Sequence, residues 1–286
     1  MIKKIDWRQF FKIFSKRMSR GEINQGSIVI AYYLLFSMFP IIIIAGNIMP
    51  LFHLKPEVVE EYLIYGLPTK VADFIMPIVK SVLQKQSTGY ISFGILIALW
   101  SFSSLTNAMR ISMNRIYGVR QQELRFSFGR KLLERGVVVL ITGLMIILLT
   151  VLTIALTFGQ EILDSVKAFL GINYLGIESI FTYKWLVLLA VMLVVIAYFN
   201  FALPNVKKRK RAIWPGVFIN LVGWSGLSYL FGLYLSHFKL SFENYGIVGT
   251  FIIFMLWLNL SSLLFLLGVC VNATIDELKH GDAKIR

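Results

Sequence analysis

The chain has 286 residues, of which 57% are hydrophobic and only 15% are charged. Soluble globular domains carry about a quarter charged residues, so the composition excludes an ordinary soluble domain with a water-facing surface. The single cysteine, Cys270, excludes an intrachain disulfide and a cysteine-based zinc motif.

Residues 1–22 predict a basic, amphipathic cytoplasmic segment. In a helix over residues 3–20, one face carries a basic residue every four positions, and the other carries apolar residues that include Trp7 and Phe11. Such a helix is typical of the lipid headgroup layer, where its basic face attracts anionic lipid. A lead-in helix packed on a helical bundle explains the pattern equally well. The basic residues are Lys4, Arg8, Lys12 and Lys16, and the apolar residues are Trp7, Phe11, Phe14 and Met18.

Six long stretches without Asp, Glu, Lys or Arg follow between residues 23 and 275. Each is long enough to cross a hydrocarbon core of about 30 Å as a helix, which takes about 20 residues. We therefore predict an all-α, polytopic membrane domain, because a helix satisfies its own backbone hydrogen bonds in lipid. The predicted spans are about 27–52, 90–112, 136–158, 185–203, 212–235 and 246–272, with short helices in the outer loops.

The basic residues predict how this domain is oriented. With the N-terminus inside, the inner segments contain 22 of the 29 Lys and Arg residues, whereas the acidic residues divide almost evenly. The positive-inside rule then places both termini, including the tail at 276–286, in the cytoplasm. The net charge of +14 reflects this topology, and we expect no nucleic-acid partner. The turn between spans 4 and 5 is an inner anchor that also attracts anionic lipid, through Lys207, Lys208, Arg209, Lys210 and Arg211.

Polar side chains within the spans are the candidate substrate-binding residues. Those of span 2 recur at helical spacing on one face. Arg110 on this face lies at the inner interface, where it is either a bidentate ligand for a phosphate headgroup or a snorkelling anchor. Hydrogen bonding between helices is the alternative role for the uncharged members, and Gly216 and Gly223 are spaced for close helix approach. The candidates are Ser103, Asn107, Arg110, Asn114, Asn220 and Asn259.

Two places in the chain are candidates for a gate. Pro40 in span 1 removes a backbone hydrogen bond and usually kinks a helix. Glu243, Tyr245 and Gly246 lie at the outer mouth of span 6. There Glu243 is either a gate carboxylate or a solvated loop residue.

The chain offers no recognisable catalytic or metal-binding motif. Its histidines, His53, His237 and His280, fall in separate loops, and no P-loop, nucleophile elbow or paired carboxylates accompany them. We therefore predict that the protein is not an enzyme and binds no metal or cofactor. The spans also lack a central charged residue, which argues against an ion or proton pump.

Four segments resemble the YihY/BrkB family of bacterial inner-membrane proteins, in order and over nearly the whole chain. They read AYYLLFSMFP, LWSFSSLTNAMRISMNRIYGV, LPNVKKRKRAIWPG and YGIVGTFIIFMLWLNLSSLLFLLGVCVNA. The resemblance implies a six-helix inner-membrane protein. Members have carried a ribonuclease label, have been associated with serum resistance, or have been proposed to move lipids. Where relatives commonly read Gly-Ala-Glu-x-Asn, this chain has Cys270 in place of the carboxylate, so no proton-coupled role carries over.

We therefore predict a transporter or exporter of an amphipathic anionic substrate, such as a phospholipid or a lipid-linked envelope precursor. The headgroup would pass a groove lined by the polar face of span 2 and by facing asparagines of spans 5 and 6. The alternative is a non-transporting scaffold or assembly factor for envelope biogenesis, and a membrane-associated ribonuclease is a third reading. Membrane lipids are the expected partners, while an envelope-machinery partner and a homo-oligomer stay open.

Overall fold

The computed structural model describes residues 7–48, 76–77, 89–119, 136, 184–206, 211–237 and 242–281. Every element in this part of the chain is an α-helix, which confirms the all-α prediction there. The helices are α1 (Trp7–Arg20), α2 (Ile23–Ile48), α3 (Gly89–Tyr117), α4 (Lys184–Ala202), α5 (Trp214–His237) and α6 (Phe242–His280). The predicted third span and most of the predicted outer-loop helices lie outside the described residues.

The helices correspond to the predicted N-terminal helix and to five predicted spans, with differences at their ends. α3 continues to Tyr117, past the predicted end near residue 112, and α6 continues through Asp276 and Glu277 into the predicted tail. Charge-free stretches stop where charges begin, but a helix continues while its polar side chains find partners. Glu277 has such a partner, because it pairs with Arg17 of α1.

Polar contacts bring several helix ends together. Arg17 of α1 bonds to the carbonyl of Ile116 near the end of α3 and pairs with Glu277 near the end of α6. The N–H of Ala212, just before α5, donates to Asp276 of α6 at 2.7 Å. We call this region the shared end. In the predicted six-span topology, the ends of α3 and α6 and the start of α5 would also lie on one side of the membrane. That topology stays a prediction.

Two helices in the described part of the chain are long and apolar enough to cross a membrane, Trp214–Leu235 and Phe251–Lys279. Shorter apolar helical stretches cover Ile23–Met38 and Leu189–Ala202. The span in α5 differs from the core helix of a soluble protein, because only 22% of it is buried. Its outward residues Val222 and Tyr229 are 70% and 69% exposed. A helix that is apolar on all sides and largely uncovered by protein indicates a membrane location.

α6 is the central helix of the described bundle and packs against α1, α2, α3 and α5. One hydrophobic cluster near the shared end includes Met113 and Ile116 of α3 with Leu266 of α6. A second cluster joins α2, α5 and α6 around Phe231 and Trp257, whose ring centroids lie 5.3 Å apart. The hydrophobic residues of α6 therefore fix the positions of its neighbours.

α5 and α6 approach closely because both have glycine at their contact. A Cβ atom on Gly216 would overlap the backbone carbonyl oxygen of Gly268, and one on Gly223 would lie 2.7 Å from the side chain of Leu264. The predicted close approach at Gly216 and Gly223 is confirmed. Without Cβ atoms the two backbones gain van der Waals contact that larger residues would prevent.

Candidate functional site

The predicted polar stripe lies on one face of α3. Ser103, Asn107 and Arg110 are half-buried, so they are neither sealed in the core nor fully exposed. Nη2 of Arg110 donates to Oδ1 of Asn107 at 3.2 Å. Asn114 is buried instead, and its Oδ1 accepts the backbone N–H of Asn205 at 2.8 Å. The first three residues thus form an accessible polar edge, and the fourth fixes the chain that follows α4.

The other two predicted residues lie at different helix contacts. Oγ of Ser27 donates to Oδ1 of Asn259 at 2.9 Å, which joins α2 to α6. Asn220 of α5 lies against Gly268 of α6. Its Oδ1 and Nδ2 are buried and have no hydrogen-bond partner among the described residues. The six candidates are therefore distributed over the face of α3, the α2–α6 contact and the α5–α6 contact.

A buried amide pair beside the α5–α6 contact is absent from the predicted set. Nδ2 of Asn272 donates to Oδ1 of Asn200 on α4 at 3.0 Å, and Oδ1 of Asn272 accepts the N–H of Gly216 at 2.7 Å. Gly216 lies in the first turn of α5, where backbone N–H groups have no partner within the helix. Asn272 therefore caps α5 from a neighbouring helix. Its signal in the sequence is an isolated asparagine in an otherwise apolar stretch.

Arg17 is a second group that sequence reasoning missed. Its side chain is buried, Nη1 donates to the carbonyl of Ile116 at 2.7 Å, and the guanidinium pairs with Glu277. The sequence carries a signal here too. Arg17 is off the basic stripe of Lys12 and Lys16 and follows Phe14 by three residues, on the apolar face. A charge at such a position predicts a buried ion pair.

Arg211 is the described member of the predicted polybasic anchor. Its Nη2 donates to the carbonyl of Phe201 at 2.6 Å, and its guanidinium carbon lies 5.6 Å from the centroid of the Phe201 ring. It also lies 6.0 Å from the ring centroid of Tyr117. Burial, assisted by the negative charge of Asp276, raises the pKa of Tyr117 above its ordinary value of 10, although Arg211 and Arg17 act in the opposite direction. The phenol therefore stays neutral at physiological pH.

The predicted gate residues lie within helices. α2 continues through Pro40 as one element, and α6 begins at Phe242, so Glu243, Tyr245 and Gly246 belong to its first turns. The backbone of Glu243 is therefore helical, and the prediction that this residue lies in a loop is wrong. α6 therefore begins four residues before the predicted start of span 6 near residue 246.

The remaining predicted residues divide between the described and undescribed parts of the chain. Arg8, Lys12 and Lys16 are exposed on α1. Lys4, Lys207, Lys208, Arg209, Lys210 and His53 lie outside the described residues. Among the described residues, no three His, Cys, Asp or Glu side chains are grouped as a metal site would need. Cys270 is buried with a free thiol.

Comparisons with known proteins match nearly the whole chain. The model of a family described as "Virulence factor BrkB" matches residues 14–286. A relative from Bacillus subtilis (strain 168), "Putative ribonuclease-like protein YfkH", is 30% identical over 274 residues, which are 94% of this chain and 96% of the relative. No solved structure matches.

Proposed function

Because the chain belongs to the BrkB virulence factor family and its described part contains two helices able to cross a membrane, we propose that it transports an amphipathic anionic substrate. The substrate is a phospholipid or a lipid-linked envelope precursor. The protein works in the bacterial inner membrane with both termini in the cytoplasm, because 22 of its 29 basic residues then lie inside. Membrane lipids are its partners.

The observation that carries the proposal is the half-buried polar edge of α3. Ser103 and Arg110 are seven residues apart, so the edge extends about 10 Å along the helix. Polar side chains that face lipid directly are costly, whereas polar side chains at a groove can bind a headgroup while acyl chains stay in lipid. Arg110 at one end of the edge offers a planar fork of donors that matches a phosphate or carboxylate.

The asparagines of the other helices have supporting roles in this proposal. Asn259 links α2 to α6 through Ser27, so it holds the helix on which α3 packs. The amide of Asn220 has no partner among the described residues, which makes it a candidate substrate contact. Pro40 and the group Glu243, Tyr245 and Gly246 stay candidates for the gate at the opposite end.

Headgroup flipping in proteoliposomes tests the proposal. The purified protein is reconstituted with an anionic lipid that carries a fluorophore on its headgroup, and dithionite reports the rate at which label reaches the outer leaflet. We expect the wild-type protein to accelerate flipping. Arg110→Leu and Asn107→Leu should each slow it by about tenfold, which corresponds to the loss of one charge-assisted hydrogen bond.

Arg115→Leu is the matched control. Arg115 lies on the same helix, is exposed, and pairs with Glu22 at 2.8 Å away from the polar edge. Its loss removes the same charge near the same end of α3. Because Arg115 is not part of the polar edge, flipping should continue at the wild-type rate. Equal slowing by both arginine substitutions would show a general charge effect and would contradict a headgroup site at Arg110.

Three outcomes would count against transport. The first is an absence of accelerated flipping for every anionic lipid tested, in any ion gradient. The second is cellular function that survives Asn107→Leu and Arg110→Leu but fails when α1 is altered, which would favour a scaffold for envelope assembly. The third is metal-dependent RNA cleavage that is lost with the histidines, as the name of the Bacillus subtilis relative would lead one to test.

A further inference from the structure

The apolar face of α1 extends beyond the protein that covers it. Phe14 and Met18, in the C-terminal half of the helix, pack against the hydrophobic cluster near the shared end. Trp7 and Phe11 continue the same face toward the N-terminus at helical spacing, but they are 66% and 62% exposed. Two large aromatic side chains in the described structure therefore lie on an apolar surface without a protein cover.

These aromatic residues form one group with their neighbours. The ring centroids of Trp7 and Phe10 are 5.8 Å apart, those of Phe10 and Phe11 are 5.7 Å apart, and those of Phe10 and Phe14 are 6.0 Å apart. The group thus connects the exposed half of the helix to the packed half. Exposed aromatic side chains, and tryptophan in particular, are typical of the boundary between membrane and water.

A basic surface lies beside the exposed aromatic residues. Lys12 and Lys16 are exposed, Arg8 lies one turn before Lys12, and α1 contains no acidic residue. Rotation of 100° per residue places Arg8 about 60° and Lys12 about 100° from Phe11 around the helix, whereas Lys12 and Lys16 lie about 160° from the packed Phe14. The exposed aromatic residues and the basic residues together are complementary to a partner that has an apolar interior and a negatively charged surface.

The position of α1 fits such a partner. Arg17 ties the C-terminal half of the helix to Ile116 near the end of α3 and to Glu277 near the end of α6. α1 therefore lies at the end of the bundle, level with the C-terminal end of α6, whose apolar part is long enough to cross a membrane. The headgroup layer of a bilayer surrounds a bundle at this level.

We infer that the exposed face of α1 docks on the surface of an anionic lipid bilayer, with Trp7 and Phe11 inserted between headgroups and the lysines above them. A second copy of the chain is a poorer occupant, because a two-fold contact would bring the basic surfaces of both copies together. Anionic lipid supplies both the apolar contact and the opposite charge. The inference is independent of the proposed transport function.

An environment-sensitive fluorophore on α1 tests the inference. In a Cys270→Ala background, the full-length protein carries Phe11→Cys labelled with NBD and is placed in nanodiscs of zwitterionic lipid alone or with a third anionic lipid. With anionic lipid present we expect a blue-shifted emission and a loss of quenching by aqueous iodide. Both effects should weaken at high salt, which screens exposed charges.

Gln9→Cys provides the matched control position. Gln9 is exposed on the same helix, but it points about 160° away from Phe11. An NBD label there should stay quenched by iodide in both kinds of nanodisc. Adding Lys12→Gln and Lys16→Gln to the Phe11→Cys protein should abolish its response to anionic lipid.

Two results would overturn the inference. A label at Phe11→Cys that is quenched equally in both nanodiscs shows that the face stays in water. A label that is protected equally in both nanodiscs and in detergent shows that protein covers the face. The headgroup-flipping rate does not enter either measurement, so failure of transport and failure of docking are separate outcomes.

Discussion

Arg17 is the buried cation of the described residues, and its contacts explain how α1 is held. Burying a guanidinium is costly unless acceptors replace the water that it loses. The carbonyl of Ile116 and the carboxylate of Glu277 are those acceptors, and they come from two different helices. One side chain therefore joins α1, α3 and α6.

Glu277→Gln should destabilise the protein strongly. The substitution leaves the charge of Arg17 buried without its counter-ion, and such a loss costs about 3 kcal/mol in the free energy of unfolding. The melting temperature in detergent measures the effect. The double variant Arg17→Met, Glu277→Leu should recover part of the loss, because it removes both charges together.

The pair Glu22 and Arg115 is the control for this prediction. Its two side chains are 49% and 48% exposed, so water screens the interaction. Glu22→Gln should change the free energy of unfolding by less than about 1 kcal/mol. If Glu22→Gln and Glu277→Gln lowered the melting temperature equally, burial of the Arg17 pair would not be the cause.

Asn220 on α5 and Asn272 on α6 both lie at the contact between these helices, but only one of the two amides has hydrogen-bond partners. Asn272 bonds to Asn200 and to the N–H of Gly216, whereas the amide of Asn220 has no partner among the described residues. Asn272→Leu should therefore lower the free energy of unfolding by about 2 kcal/mol, because two polar groups lose their partner. Asn220→Leu should keep or raise it.

Thermal unfolding of the two asparagine variants in detergent checks this contrast. A loss of stability in Asn220→Leu as large as that in Asn272→Leu would reveal a partner for the Asn220 amide. A more stable Asn220→Leu protein with slower headgroup flipping would instead assign the unpaired amide to the substrate, since an uncompensated buried polar group calls for a functional reason.

Side chains of α6 accept the backbone N–H groups at the start of α5. The side chains of Asn272 and Asp276 are one turn apart on α6, and they accept the N–H groups of Gly216 and Ala212. An Asp near the start of a helix also complements the positive end of the helix dipole. The close approach at Gly216 and Gly268 makes these short hydrogen bonds possible. The two helices therefore form one unit.

Gly216→Ala should disrupt this unit. The added methyl would overlap the carbonyl of Gly268, which is backbone and cannot rotate away, so α5 must move from α6. We expect a loss of about 1–3 kcal/mol, as for other overpacked contacts. Gly226→Ala on the same helix is the control, because a Cβ there meets nothing within 4 Å. Equal melting temperatures for the two variants would contradict the tight contact.

At the scale of the whole molecule, orientation is the prediction that labelling can decide. In a Cys270→Ala background, Ser19→Cys and Lys279→Cys place exposed thiols at the ends of α1 and α6. A membrane-impermeant maleimide should label both in inside-out vesicles and neither in intact cells. Labelling of both from outside would reverse the orientation. Labelling from opposite sides would contradict the pairing of Arg17 with Glu277.

Much of the fold could be predicted because it depends on local properties of the chain. The charge-free stretches locate five of the described helices, although α3 and α6 continue past their predicted ends to Tyr117 and His280. Long apolar stretches form helices that are buried in lipid. The stripe from Ser103 to Arg110 also follows from helical spacing alone. Pairing is different, because Arg17 and Glu277 are 260 residues apart and nothing local specifies that they meet.

The sequence by itself determined that the described part of the chain is helical and where its long apolar segments lie, because hydropathy acts on each segment separately. The orientation that the basic residues indicate stays a prediction. Only the tertiary structure decided that Asn114 accepts the N–H of Asn205, in the segment that follows α4. It also decided that Asn272 rather than Asn220 has hydrogen-bond partners, and that protein covers only half of the apolar face of α1. These outcomes depend on which helices are neighbours and how closely they approach. That choice is made by the packing of all of them together.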